Sequence, residues 1–169
     1  MKNIQVIPTD KPSRLLRAKS NGNIFLNHSK DFIFDTEYWE YLNIYITNDE
    51  EIKEGDWYFI TESISKCESK YEANDLTDIC KKIILTTDQD LINDGVQAID
   101  DEFLEWFVKN PSCEFVEWSS EKIEGSFDGE DWKFNYGIVI PKEEPKQELL
   151  PDFKITKNIF DFVNDLSDT

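Results

Sequence analysis

His28 is the single histidine of this chain, and Cys67, Cys80 and Cys113 are its three thiols. A lone histidine cannot build a histidine-metal cluster. His28 also falls in a polar turn region, where a surface role accounts for it. Cys113 follows Pro111-Ser112 with no second histidine to assist it, so a Cys–His nucleophile is not expected. Ser63, Ser119 and Ser120 lack a nucleophile-elbow context, and Gly55, Gly95, Gly125 and Gly129 form no phosphate-binding loop. The cysteines are odd in number and have no CxxC spacing. They read as free thiols in a reducing cytosol rather than a disulfide framework or a zinc set. Carboxylates are the group in excess, 36 Asp and Glu against 18 Lys and Arg, for a formal net of −18 in 169 residues. With acids this abundant, close pairs prove nothing. Asp128-Gly129-Glu130-Asp131 could hold Ca²⁺ loosely but lacks the alternating oxygen ligands of an EF-hand loop; a solvated turn is the better reading. Asp88, Asp90 and Asp94 share an acidic helix, which is usually a solvated face. A metal-dependent nuclease would need clustered acids and a basic substrate surface, and the second is missing. The expectation is no catalysis, no metal and no cofactor.

The charge is unevenly spread. Residues 1–30 hold Lys2, Lys11, Arg14, Arg17, Lys19 and Lys30 against Asp10 as the single acid, so nearly all the negative charge lies in the remainder. Such a body repels nucleic acid and anionic membrane and attracts basic surfaces. Arg14, Arg17 and Lys19 could contact phosphate, but pairing of this basic segment with the acidic body is the favoured account. Solubility alone is the bland explanation of the acidity, and it explains less well why the excess is this large.

Hydrophobic residues at 39%, with 5 Trp, 6 Tyr and 12 Phe, argue for a folded core rather than disorder. No apolar stretch is long enough for a signal peptide or a membrane span, so a cytoplasmic location is expected. The pattern predicts an α+β fold with a mainly antiparallel twisted sheet, which could close toward a barrel, and one or two packed helices. Strands are expected at Asn3–Ile7, ending at Pro8, and on either side of Asn21-Gly22-Asn23. Further strands fall at Asn43–Thr47, Trp57–Thr61, Lys82–Thr86, Glu114–Trp118, Lys122–Phe127 and Trp132–Ile140. A helix starts near Thr87-Asp88-Gln89-Asp90 and stops at Gly95. A second is capped by Asp100, carries Phe103, Trp106 and Phe107 on its core face, and stops at Asn110-Pro111. The domain is read as 1–140, followed by a Pro/Glu-rich linker at 141–151. Residues 152–169 hold a short amphipathic C-terminal helix with Ile159, Phe160, Val163 and Leu166 on one face.

Several blocks carry a resemblance. They include Ile52-Lys53-Glu54-Gly55-Asp56-Trp57, Lys81-Lys82-Ile83-Ile84-Leu85-Thr86-Thr87-Asp88-Gln89-Asp90-Leu91-Ile92 and Gly95–Cys113, which contains Asp100-Asp101-Glu102-Phe103-Leu104-Glu105-Trp106-Phe107. Over roughly residues 1–147 the chain resembles a family of small proteins of phages and prophage-like regions of Bacteroidota. That family has no assigned activity, so the resemblance transfers no site residue. It implies a setting, a mobile genetic element in a bacterial host, where small acidic proteins often act by binding. The stretches around 18–42 and 62–80 read as variable inserts.

Two functions follow as expectations. The first is a non-enzymatic interaction protein that binds and inhibits a basic, nucleic-acid-handling host protein, without contacting nucleic acid or membrane itself. Its acids would stand in for phosphates. An RNA-guided defence nuclease is a target that only the setting suggests. The partner-binding candidates are Glu50, Glu51, Glu54, Asp56, Trp57, Asp128, Glu130 and Asp131, with Ile159, Phe160, Val163 and Leu166 in the tail. The alternative is a small enzyme or nucleotide-binding domain with a pocket near the Gly55-Asp56-Trp57 turn.

Overall fold

A computed structural model describes residues 2–29, 33–76, 78–123 and 133–142. In chain order the elements are β1 (Ile4–Thr9), β2 (Leu15–Ala18), β3 (Ile24–Leu26), β4 (Trp39–Asn48), β5 (Trp57–Ile60), β6 (Ser63–Lys66) and α1 (Lys70–Asp75). They continue with β7 (Lys81–Thr86), α2 (Gln89–Asn93), β8 (Gln97–Ala98), α3 (Asp101–Lys109), β9 (Glu117–Ile123) and β10 (Lys133–Val139).

The register makes β4 the axis of an α+β, mostly antiparallel sheet. Tyr41 and Leu42 pair with Thr9 and Pro8 of β1 and also with Leu16 and Leu15 of β2, so β1 and β2 lie on opposite edges. Tyr45 and Ile46 pair with β1 and with β7. One edge of β4 is therefore covered by β1, and the other by β2 and then β7, with a bulge between Ile46 and Thr47. β7 repeats the arrangement. Lys82 meets Tyr58 of β5, while Leu85 and Thr86 meet β8, the single parallel pairing among the described strands. A sheet whose edges divide in this way splays, and it does not close into a barrel. β9 and β10 form a separate two-stranded ribbon.

Both faces of the sheet are covered. Leu42, Ile44 and Ile46 point to a core shared with Ile4, Leu15, Ile84, Leu85, Ile99, Val116 and the buried face of α3. Tyr45 points the other way, to Phe59, Ile83 and Leu91 of α2. Burial on both faces is why β7 reads as a continuous apolar run at Ile83-Ile84-Leu85 and why β4 is buried without alternation from Tyr41 to Asn48. The Asp100 side chain accepts the Phe103 amide at 2.8 Å and caps α3, as its position predicts. Phe103 and Phe107, one turn apart, stack with centroids 5.9 Å apart and are fully buried. Trp106 is half-buried beside them.

Two local expectations need correction. β1 runs through Pro8 to Thr9, which an edge strand permits because the missing N–H can face away from the ladder. β9 is one strand across Ser119-Ser120-Glu121 rather than two separated pieces, because every residue from Glu117 to Ile123 has a partner in β10. Elements that the sequence pattern does not predict are β6 and α1, in the stretch near 62–80, and β8. The tail helix, most of the linker, and Asp128, Glu130, Asp131 and Trp132 lie outside the described residues.

Candidate functional site

The acidic loop between β4 and β5 is built on Ile52. This residue is buried with Tyr58, Cys67 and Cys80 and pins the loop centre to the domain. Gly55 has φ +92°, a conformation that favours glycine. Its amide reaches the Cys67 carbonyl at 2.7 Å, and the Asp56 carboxylate accepts the Lys53 amide at 2.9 Å. The Lys82 ammonium lies 3.3 Å from Asp56 and 3.7 Å from Glu50. The Tyr136 hydroxyl donates to Glu50 at 2.9 Å. Burial, and then the Glu50 carboxylate, push the ionisation of that phenol well above its usual range.

Trp57 begins β5 and faces Asp94, just past α2. Its indole N–H donates to the Asp94 carboxylate at 2.7 Å, and Lys66 reaches the same carboxylate at 2.7 Å. The Lys66 ammonium also lies 5.9 Å from the Trp57 ring centroid. The hydrogen bonds from Lys66 and then Trp57 hold the Asp94 carboxyl below the usual carboxylate range. The structure thus divides the sequence-predicted set. Glu50, Asp56 and Trp57 are tied into the fold, while Glu51 and Glu54 are exposed.

The basic N-terminal segment is spent on the acidic body. Arg17 grips Glu40 through two nitrogens, at 2.9 and 2.5 Å. Arg14 pairs with Asp101, Lys11 with Asp90, and Lys2 lies 3.9 Å from Glu114. Lys19 donates to the Thr36 carbonyl at 2.7 Å. Lys30 lies outside the described residues. On α3 and β9, meanwhile, Glu102, Glu105, Glu117 and Glu121 are exposed.

A cavity of about 620 Å³ opens where Arg14 and Asp101 meet, between the β1–β2 and β3–β4 connections and the N-terminal ends of α2 and α3. His28, Ser13, Thr87 and Gln89 supply polar walls, and Ile99 and Leu104 an apolar floor. Its lining includes nothing from the Gly55-Asp56-Trp57 turn. A second cleft, of about 460 Å³, lies between the β2–β3 turn and the start of β4, with Phe25, Glu37, Tyr38 and Trp39 in its walls. These residues fall in the stretch around 18–42, which reads as a variable insert. The signal was there in Tyr38-Trp39, an aromatic pair at the head of a strong strand. Cys67 and Cys80 are buried free thiols, and Cys113 is a partly exposed one. Burial pushes the Cys67 thiol up, away from the reactive thiolate form. Among the described residues no group of His, Cys, Asp and Glu has the geometry to hold a metal ion. No helix among them is long and apolar enough to cross a membrane.

No protein-family model matches the chain, and neither a curated protein nor a solved structure matches it.

Proposed function

We propose that this chain is a non-enzymatic acidic interaction protein of a mobile genetic element, which binds and inhibits a basic, nucleic-acid-handling host protein. The observation that carries this reading is the way charge is spent. Lys2, Lys11, Arg14 and Arg17 each meet a carboxylate of the body, and Lys66, Lys81 and Lys82 do the same further on. Exposed pairs of this kind contribute only about 0–1 kcal/mol each. Their larger consequence is electrostatic: positive charge is locally cancelled, and the excess carboxylates define the field a partner meets. A single-sign field of this kind raises association rates for a basic partner and repels nucleic acid. The resemblance to phage and prophage proteins supplies the setting, and a defence nuclease is one target compatible with it.

The test is capture from bacterial lysate on the immobilised chain at low and high salt, with competing duplex DNA or RNA. The reading expects a basic nucleic-acid-binding protein that is retained at low salt and displaced by either nucleic acid or salt. Retention of acidic or neutral proteins only, indifferent to nucleic acid, would overturn it.

A second reading, a small-molecule or nucleotide-binding domain, draws on the cavity beside Arg14 and His28. Its discriminating observation is saturable binding of a nucleotide that Arg14→Ala abolishes.

A further inference from the structure

The cleft at the head of β4 has the chemistry of a receptor for an arginine side chain. Its aromatic walls are held in place by the backbone. The Tyr38 and Trp39 amides both donate to the Asp35 carbonyl, at 3.2 and 3.1 Å, and the Tyr38 carbonyl accepts the Lys19 amide at 3.0 Å. Phe25 of β3 meets Trp39 edge-to-face, with centroids 5.6 Å apart and planes at 80°. Phe25 is nonetheless 46% exposed and Tyr38 62% exposed. An exposed aromatic corner on so charged a protein is the kind of surface that anchors partners. The wall also holds a carboxylate. Glu37 is exposed, and its amide is fixed by the Asp35 side chain at 2.9 Å in a tight turn. Lys19 also lines the cleft, but its ammonium is engaged by the Thr36 carbonyl at 2.7 Å.

We propose that this cleft takes an arginine side chain from a basic partner segment, with the guanidinium on the exposed Tyr38 ring, beside a Trp39 that Phe25 and Phe34 hold in place, and its N–H groups toward Glu37. The inference rests on the reading of the chain as a binder of basic proteins and names the part of the partner that it recognises. Arginine is preferred over lysine because the planar, weakly hydrated guanidinium stacks on a ring while donating in its own plane. The net charge of −18 supplies long-range attraction to either residue and does not itself favour one of them.

The experiment measures binding of labelled oligoarginine and oligolysine peptides of equal length to the full chain at moderate salt. The expected result is a preference for oligoarginine, with Tyr38→Ala and Glu37→Gln each weakening its binding about two- to fivefold and narrowing the difference between the peptides. Tyr71→Ala, at an exposed ring on α1, should leave the preference intact. Unfolding temperatures confirm that each variant is folded. If the peptides bind equally well, or if Tyr38→Ala and Glu37→Gln leave the preference unchanged, the cleft assignment falls while the reading of a basic partner stands. If neither peptide binds, both fall.

Discussion

The side chain of Asn3 and the backbone of Val116, 113 positions apart, form a two-way hydrogen-bonded pair: the carboxamide donates to the Val116 carbonyl at 2.7 Å and accepts the Val116 amide at 2.9 Å. Both residues are buried. The pair lets a side chain complete the ladder between the start of β1 and the approach to β9. Replacing Asn3 with Ala leaves both backbone groups of Val116 without partners, at a cost of about 1–3 kcal/mol for each. Asn3→Asp keeps the acceptor but sets a carboxylate against the Val116 carbonyl, so it should be no better tolerated. Chemical denaturation of the two variants checks this; wild-type stability in either would show that the pair contributes nothing.

Gln97 plays the same part on the other side of the domain. Its carboxamide donates to the Tyr136 carbonyl and accepts the Tyr136 amide, each at 2.8 Å, tying the β9–β10 ribbon to β8. Gln97→Ala should accelerate hydrogen exchange at the Tyr136 amide while leaving the β4 amides protected. The stability loss should be about 1–3 kcal/mol, the net worth of two ordinary hydrogen bonds. Unchanged exchange at Tyr136 would mean that the ribbon is held by Trp118, Ile138 and Ile140 packing and by the Tyr136–Glu50 hydrogen bond instead.

Much of the fold was legible where local chemistry and tertiary packing agree. Asp100 and the aromatic spacing after it define α3, Asn21-Gly22-Asn23 joins β2 to β3 through a glycine at φ +75°, and Ile83-Ile84-Leu85 is the heart of β7. Elements that depend on distant partners were hidden. β8 is two residues long and exists because β7 has a free half-edge. β9 has a polar centre that only β10 holds extended. The site followed the same division. Net charge can be read by counting, but the convergence of Glu50 and Asp56 on Lys82 depends on β4–β7 pairing past a bulge, which no local pattern encodes.

The three aromatic residues of α3 should respond differently to substitution. Phe103 and Phe107 are fully buried and stacked, so Phe→Ala at either should cost about 3–5 kcal/mol. Trp106 is half-buried, and its indole nitrogen is buried without a hydrogen-bond partner among the described residues. Trp106→Phe removes that unsatisfied donor while keeping a ring against Phe103. Because the site is half-buried and a ring remains against Phe103, it should cost less than either Phe→Ala change, although the smaller ring leaves some space unfilled. Thermal unfolding of the three variants gives the ordering, and a Trp106→Phe loss as large as that of Phe107→Ala would contradict it.

Asp94 gives the fold an acid-sensitive contact. Its carboxyl is held below the ordinary range by Lys66 and then by Trp57, so the folded protein binds this proton less readily than the unfolded chain does. The sign follows: the contribution to stability is fully present above the unfolded carboxylate value of about 3.9 and is lost as pH falls through the lower, folded value. The indole N–H of Trp57 is a direct reporter, because it donates to that carboxylate. Its proton resonance should hold steady through mildly acidic pH and shift only below the ordinary carboxylate range. Asp94→Asn keeps an oxygen for the indole but removes the charge facing Lys66. In that variant the resonance should show no such step, and the variant should lose stability relative to wild type at neutral pH but less so in acid. A Trp57 step that survives in Asp94→Asn would place the titration on a different group.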